Sequence, residues 1–227
     1  PNLVAIDCSR FAAEDPEFAQ AHLDAGATRL VISAPAKKAD LTVVYGVNHE
    51  SLRPEHRIIA DGSCTTNCIS LPLSVIEQVF GIKGGFMLTV QAATTEQFIY
   101  DVAAADERKG RSLFNLIPTT TGAAKAVGEV IQALKGKLDG FALRVPLFNG
   151  SIAVTVLQTT DREVSTESLR RALRGASEGR LRGVMGYSSV ESHEDLVLED
   201  ILLECCNRLL QSRRRLGFDS VPRQIYI

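Results

Sequence analysis

The chain has 227 residues, 45% hydrophobic and 23% charged, which fits one large or two small globular domains with a core that needs no disulfide staples. Twenty-five Lys and Arg against 27 Asp and Glu leave a net charge of −2, which argues against a general nucleic-acid or membrane-surface binder. No apolar run reaches transmembrane length and no signal-peptide pattern is present, while the opening at Pro1, directly into Leu3-Val4-Ala5-Ile6, sets the expectation of an incomplete copy of a longer protein.

In chain order, residues 3–7 read as a buried strand, and Asp15-Pro16 as the N-cap and first residue of a helix that Gly26 ends. Short apolar runs follow at Leu30–Ser33, Leu41–Tyr45 and Arg57–Ala60. Their alternation with helix or loop predicts a parallel sheet over the first 63 residues. Ile69–Phe80 has helical periodicity closed by Gly81, and Phe86–Ala93 reads as a strand. Residues 95–118 read as a long charged loop. A helix is expected over Gly122–Leu134, strands over Phe141–Val145 and Ile152–Thr160, and a helix capped by Ser165 through Ala176. Glu194–Leu210 carries a last helical pattern.

The five cysteines, Cys8, Cys64, Cys68, Cys205 and Cys206, have neither the even count nor the spacing of a disulfide framework, so a reducing cytoplasm is the expected compartment. No second ligand pair follows at zinc spacing. Cys205-Cys206 fits an apolar helix face. Ser63-Cys64-Thr65-Thr66-Asn67-Cys68 lies between a strand and a helix. There the positive end of the helix dipole and its unpaired N–H groups favour a thiolate and can hold an oxyanion. The neighbouring hydroxyls can cap the helix or bind an anion. The bland alternative makes Ser63 only a cap and Cys64 only a small apolar residue.

This segment resembles the active-site motif of the phosphorylating glyceraldehyde-3-phosphate dehydrogenases and their erythrose-4-phosphate relatives. Ile32-Ser33-Ala34-Pro35-Ala36-Lys37, Gly46-Val47-Asn48-His49-Glu50, Ile117-Pro118, Thr120 through Val127, Arg144-Val145-Pro146, Ala176-Ser177-Glu178-Gly179 and Gly186-Tyr187 match in order and spacing. The resemblance implies an α/β chain: residues 1–63 as the trailing part of a Rossmann-like domain, 64–190 as an α+β catalytic domain with a mainly antiparallel sheet, and 191–227 as a divergent tail. It implies oxidation of an aldose phosphate with NAD and orthophosphate. Cys64 would form a hemithioacetal and, after hydride transfer, a thioester that orthophosphate cleaves. Ser63, Thr65, Thr121 and Gly122 match the positions holding the attacking phosphate. Thr94 and Arg144 match those holding the substrate phosphate, a task suited to the planar guanidinium fork. Ser33 and Pro35 match a cofactor-side loop. The 95–115 segment resembles one that lies along a neighbouring subunit in homotetramers. No nucleic-acid or membrane partner is implied.

Three departures bear on activity. Gln91 stands on the strand Leu88–Thr94 where the family has its histidine base. An amide neither takes a proton near neutrality nor carries a charge, although it can donate a hydrogen bond to an oxyanion. None of His22, His49, His56 and His193 lies on that strand. Nearby, Glu96 replaces an expected Thr and faces either the phosphate site or solvent. The second departure is that no Gly-x-Gly-x-x-Gly occurs in the sequence, so the chain as written is expected to bind NAD poorly. The third is the tail: after Tyr187 the motif match fades, the family's Trp-containing closing run is missing, and Arg213-Arg214-Arg215 reads as an anion site or a solvated helix end. Three readings compete: an impaired oxidoreductase of this family, a catalytically silent relative serving binding or regulation, and a reactive-thiol protein.

Overall fold

A computed structural model describes residues 3–9, 11–94, 97–100, 115–147, 150–161 and 163–188. The expectations for Glu96, for most of the 95–115 loop, for His193, for Cys205-Cys206 and for the helix and arginine run of the tail lie outside the described residues.

The first part is a four-stranded, wholly parallel sheet of β1 (Val4–Asp7), β2 (Arg29–Ile32), β3 (Leu41–Thr42) and β4 (Ile58–Ala60), in the order β1-β2-β4-β3. The helix α2 (Pro16–Asp24) forms as expected, with the Asp15 carboxylate accepting from Glu17 N–H and Pro16 in its first turn. A single turn, α1 (Phe11–Glu14), precedes it and has no clear sequence signal. The apolar core here is Ala12, Ala13, Ala19 and Leu23 against Leu30 and Ile32.

One strand is shorter than its apolar run. Leu41–Tyr45 is extended only at Leu41–Thr42, because the Asn48 side chain captures the backbone on either side of Val43. Its Oδ1 accepts from Val44 N–H at 2.8 Å and its Nδ2 donates to Thr42 O at 2.9 Å, folding the chain into a turn.

The second sheet holds β5 (Ile82–Ala92), β6 (Ile117–Thr120), β7 (Leu138–Val145) and β8 (Ser151–Thr159), in the order β6-β7-β5-β8. β5 runs parallel to β7, while β5–β8 and β6–β7 are antiparallel, so two of the three pairings are antiparallel as expected. β5 starts four residues before the apolar run at Phe86, since Gly84-Gly85 masks its first half. A side chain at Gly85 would collide with Leu157 and the Val156 carbonyl of β8. The last part of the expected 95–118 loop is also strand, β6.

Three helices cover one face of this sheet: α3 (Cys64–Phe80), α4 (Ala123–Val130) and α5 (Thr166–Glu178). The expected helix to Leu134 breaks after Val130, where Ile131 takes an extended backbone before a 3₁₀ turn at Gln132–Leu134. The Ser165 cap is reciprocal, Ser165 and Ser168 each accepting the other's backbone N–H. Cys68, Ile69, Leu73, Ile76, Met87, Val127, Leu134 and Ala153 form the core between helices and sheet. Leu181 and Met185 bury beside Val75 of α3. Gly81 turns α3 back into β5 at φ 65°, a left-handed conformation that glycine adopts without strain. α3 and β5 are therefore antiparallel, which brings the start of α3 beside the end of β5.

Candidate active site

α3 begins five residues earlier than its apolar periodicity shows, because polar residues build its first turn. Ser63 is the N-cap: its Oγ accepts from Thr66 N–H at 3.0 Å and shares a 2.8 Å hydrogen bond with Thr66 Oγ1. Asn67 locks the approach from β4, its Nδ2 donating to the carbonyls of Asp61 and Ser63. Cys64 is thus the first residue of a 17-residue helix, with a free and exposed sulfur. Unpaired N–H groups of the first helical turn lie beside it.

Thr65 is buried, and its hydroxyl reaches across to the second sheet. Gln91 Nε2 donates to Thr65 Oγ1 at 3.0 Å and to Thr89 Oγ1 at 3.1 Å. Thr89 was not among the residues singled out in the sequence. The signal for it was the strand period, since Thr89 and Gln91, two apart on β5, share a face. The same network occupies both N–H groups of Gln91 on hydroxyls, whereas a free oxyanion donor was one expected use of this amide.

Arg144 pairs with Gln91 across β5 and β7. Its Nη1 donates to Ala92 O at 3.1 Å, and its Nε is buried without a hydrogen-bond partner. An orphaned guanidinium N–H is costly to bury, and an anion would satisfy it. Thr94 is exposed just beyond β5, its N–H and Oγ1 both donating to Oε1 of the buried Gln97. Gln97 is a second residue that the sequence did not single out.

Thr121 and Gly122 open α4, which packs beside α3 in the same core. Thr121 Oγ1 accepts from Ala123 N–H at 3.2 Å, and Gly122 is exposed with open space where a Cβ would lie. Cys64, Thr65, Gln91 and Arg144 are therefore linked through direct contacts and strand pairing, with Ser63 as the helix cap. Thr94 lies just past the end of the same strand. Thr121 and Gly122 stand at a neighbouring helix start, and among the described residues the Thr121 hydroxyl bonds within its own turn, accepting from Ala123 N–H.

Ser33 and Pro35 are exposed beyond the end of β2, on the first sheet. The described histidines are engaged away from the cysteine. His22 Nε2 lies 2.9 Å from the Asp7 carboxylate, while Nδ1 of His49 accepts from Gly46 N–H and Nδ1 of His56 from Arg53 N–H.

Comparison with known proteins places the chain in a family. Residues 63–214 match the family model "Glyceraldehyde 3-phosphate dehydrogenase, C-terminal domain". That match continues past Tyr187, where the motif-by-motif resemblance stops. The chain is 45% identical to the glyceraldehyde-3-phosphate dehydrogenase of Geobacillus stearothermophilus over 81% of its own length and 54% of the relative's. It is 46% identical to that of Priestia megaterium over 82% and 55%, and 45% identical to that of Pseudomonas aeruginosa over 82% and 55%. It spans about half the length of the curated relatives it matches.

Proposed function

Since the chain belongs to the glyceraldehyde-3-phosphate dehydrogenase family, we propose that it carries the catalytic part of an oxidoreductase acting on glyceraldehyde 3-phosphate or a related aldose phosphate, and that Gln91 leaves this part impaired. The observation that carries the reading is the exposed Cys64 sulfur at the start of α3, tied through Thr65 and Gln91 to an Arg144 whose Nε lacks a partner. In this reading residues 64–190 hold the reaction centre, and 1–63 belong to the nucleotide-binding part.

Cys64 is the nucleophile. Its sulfur bonds to the aldehyde carbon, and the thiol proton leaves to solvent, which the exposed position allows. The N–H groups at the start of α3 face the oxygen on which charge develops. Arg144 and Thr94 hold the substrate phosphate. Once the hemithioacetal carbon had given up a hydride to an acceptor, Cys64 would carry a thioester; Ser63, Thr65, Thr121 and Gly122 surround the orthophosphate that attacks it, whose oxygen bonds to the acyl carbon as the carbon–sulfur bond breaks. The replaced histidine would have moved protons in these steps, a contribution of about 10²–10⁴ in rate.

NAD is the electron acceptor that the resemblance implies. Ser33 and Pro35 by themselves fit it poorly: both are exposed, and among the described residues no orphaned buried polar group lies beside them. Homotetramer formation and a cytoplasmic setting are proposed with the family. Among the described residues no helix is long and apolar enough to cross a membrane.

A test that needs no dinucleotide runs the acyl step backwards. The acyl phosphate of 3-phosphoglycerate is expected to acylate Cys64 with release of orthophosphate, seen as a mass increase on the Cys64 peptide and absent in Cys64→Ser. Gln91→His is expected to accelerate that acylation at least about tenfold. An unlabelled Cys64 in both proteins would overturn the reading, and equal rates would clear Gln91 of the defect. The engagement of Gln91 with Thr65 and Thr89 supports a second reading, a silent relative that keeps a reactive thiol. It predicts alkylation of Cys64 but no acylation, even with Gln91→His.

A further inference from the structure

We propose that Gln91 is a positioning residue for Cys64, acting through the Thr65 hydroxyl; the inference rests on Cys64 being the nucleophile of the proposed function. The Gln91 amide has two N–H groups, one directed to Thr65 Oγ1 at 3.0 Å and the other to Thr89 Oγ1 at 3.1 Å. Thr89 is 1% exposed and buried in the sheet, so this second bond fixes the plane of the amide. Thr65 Oγ1 receives a hydrogen bond from Gln91 and must place its own proton elsewhere. Among the described residues the other hydrogen-bond contact of that oxygen is Cys64 Sγ, 4.0 Å away. Thr65 is itself only 8% exposed, which limits competition from water.

The result is a directed chain in which Gln91 donates to Thr65 and Thr65 donates to the sulfur. An imidazole at position 91 could remove the thiol proton. The amide instead orients a neutral donor toward the sulfur, stabilising the negative charge that builds there as it attacks. It accepts no proton. The site therefore keeps a supported nucleophile while lacking a base.

A double-mutant cycle tests this with iodoacetamide, in which a sulfur–carbon bond forms, iodide leaves and the thiol proton passes to buffer. The readout is the alkylation rate of Cys64 relative to exposed Cys8 in the same molecule, by peptide mass spectrometry. Thr65→Val is expected to lower the ratio about tenfold, the loss of one hydrogen bond to a charged acceptor. Thr65→Ser restores it. Gln91→Leu lowers the ratio about threefold with Thr65 intact and not at all alongside Thr65→Val, because its effect passes through that hydroxyl.

Equal effects of Gln91→Leu in both backgrounds would overturn the positioning role while leaving Cys64 as nucleophile. A wild-type Cys64 no faster than Cys8 would overturn both. If Thr65→Val does not fold, Gln91→Glu serves in its place. Its carboxylate draws the Thr65 proton away from sulfur, so the ratio must fall further than in Gln91→Leu, and a ratio at or above that of Gln91→Leu rejects the relay.

Discussion

Asp7 closes β1 with a buried carboxylate that accepts from the Ser9 hydroxyl and N–H at 2.7 Å each and faces His22 Nε2 at 2.9 Å. Burial alone would raise its pKa, but the hydrogen bonds from Ser9 and His22 outweigh burial and hold the carboxyl below its ordinary value of 3.8. A carboxyl lowered on folding contributes stability that is fully present above the unfolded value and is lost as the pH falls through the folded one. Urea unfolding is therefore expected to show a steeper loss of stability below about pH 4 for the wild type than for Asp7→Asn. Parallel curves would mean that the network contributes nothing. This network was not legible in the sequence, because Asp7 and His22 are 15 residues apart and only the return of α2 onto the first sheet brings them together. Gln91 is the opposite case, since its expected departure from the family pattern was read from the sequence alone. Its bonding partner was not, since Thr65 lies 26 residues away on another element.

Among the elements, α3 carries the proposed nucleophile, and there a cap and the proposed anion site share residues. Ser63→Ala removes the cap from Thr66 N–H and is expected to cost about 1 kcal/mol, a fall in melting temperature of about 2–4 °C. Ser63→Asp keeps the cap but adds a negative charge to the proposed orthophosphate pocket. It is expected to hold the melting temperature while weakening orthophosphate-dependent release of the acyl group from Cys64. If both variants lose stability and release alike, the two roles of Ser63 do not separate. The sequence located the end of α3 well, because Gly81 is a strong stop, but its start poorly. Thr65, Thr66 and Ser70 are polar residues buried on the helix, and polar residues hide an apolar period. The same logic explains β3 and β5. Asn48 cuts β3 short by a side-chain bond to the backbone, and the glycines of β5 are required by close approach to β8 rather than by a turn.

Among the described residues no helix covers the far face of the second sheet. Phe86, Phe141, Ile152, Val154 and Val156 stand exposed there on three adjacent strands, with the rings of Phe86 and Phe141 5.9 Å apart. A contiguous apolar face of this kind marks an interface, and the proposed homotetramer supplies a second copy of the chain to cover it. Val156, 70% exposed, and Val154 have the least to lose in the isolated fold. Val154→Asp with Val156→Asp is expected to shift the protein to a smaller species in sedimentation velocity, with the circular dichroism spectrum retained. An unchanged sedimentation coefficient would show that this face is not the contact.

The sequence by itself determined the order of most elements, the parallel character of the first sheet, the family and the position of the candidate cysteine, because these are written in local apolar period, caps and contiguous motifs. Tertiary structure decided the surroundings in which each site residue works. It set Gln91 against Thr65 and Thr89, left Arg144 Nε without a partner and drew His22, His49 and His56 into other bonds. Among the described residues it also left Phe86, Phe141, Ile152, Val154 and Val156 exposed on one sheet face. Those outcomes depend on which distant segments pack together, and a hydrogen bond between residues far apart in the chain has no local period to announce it.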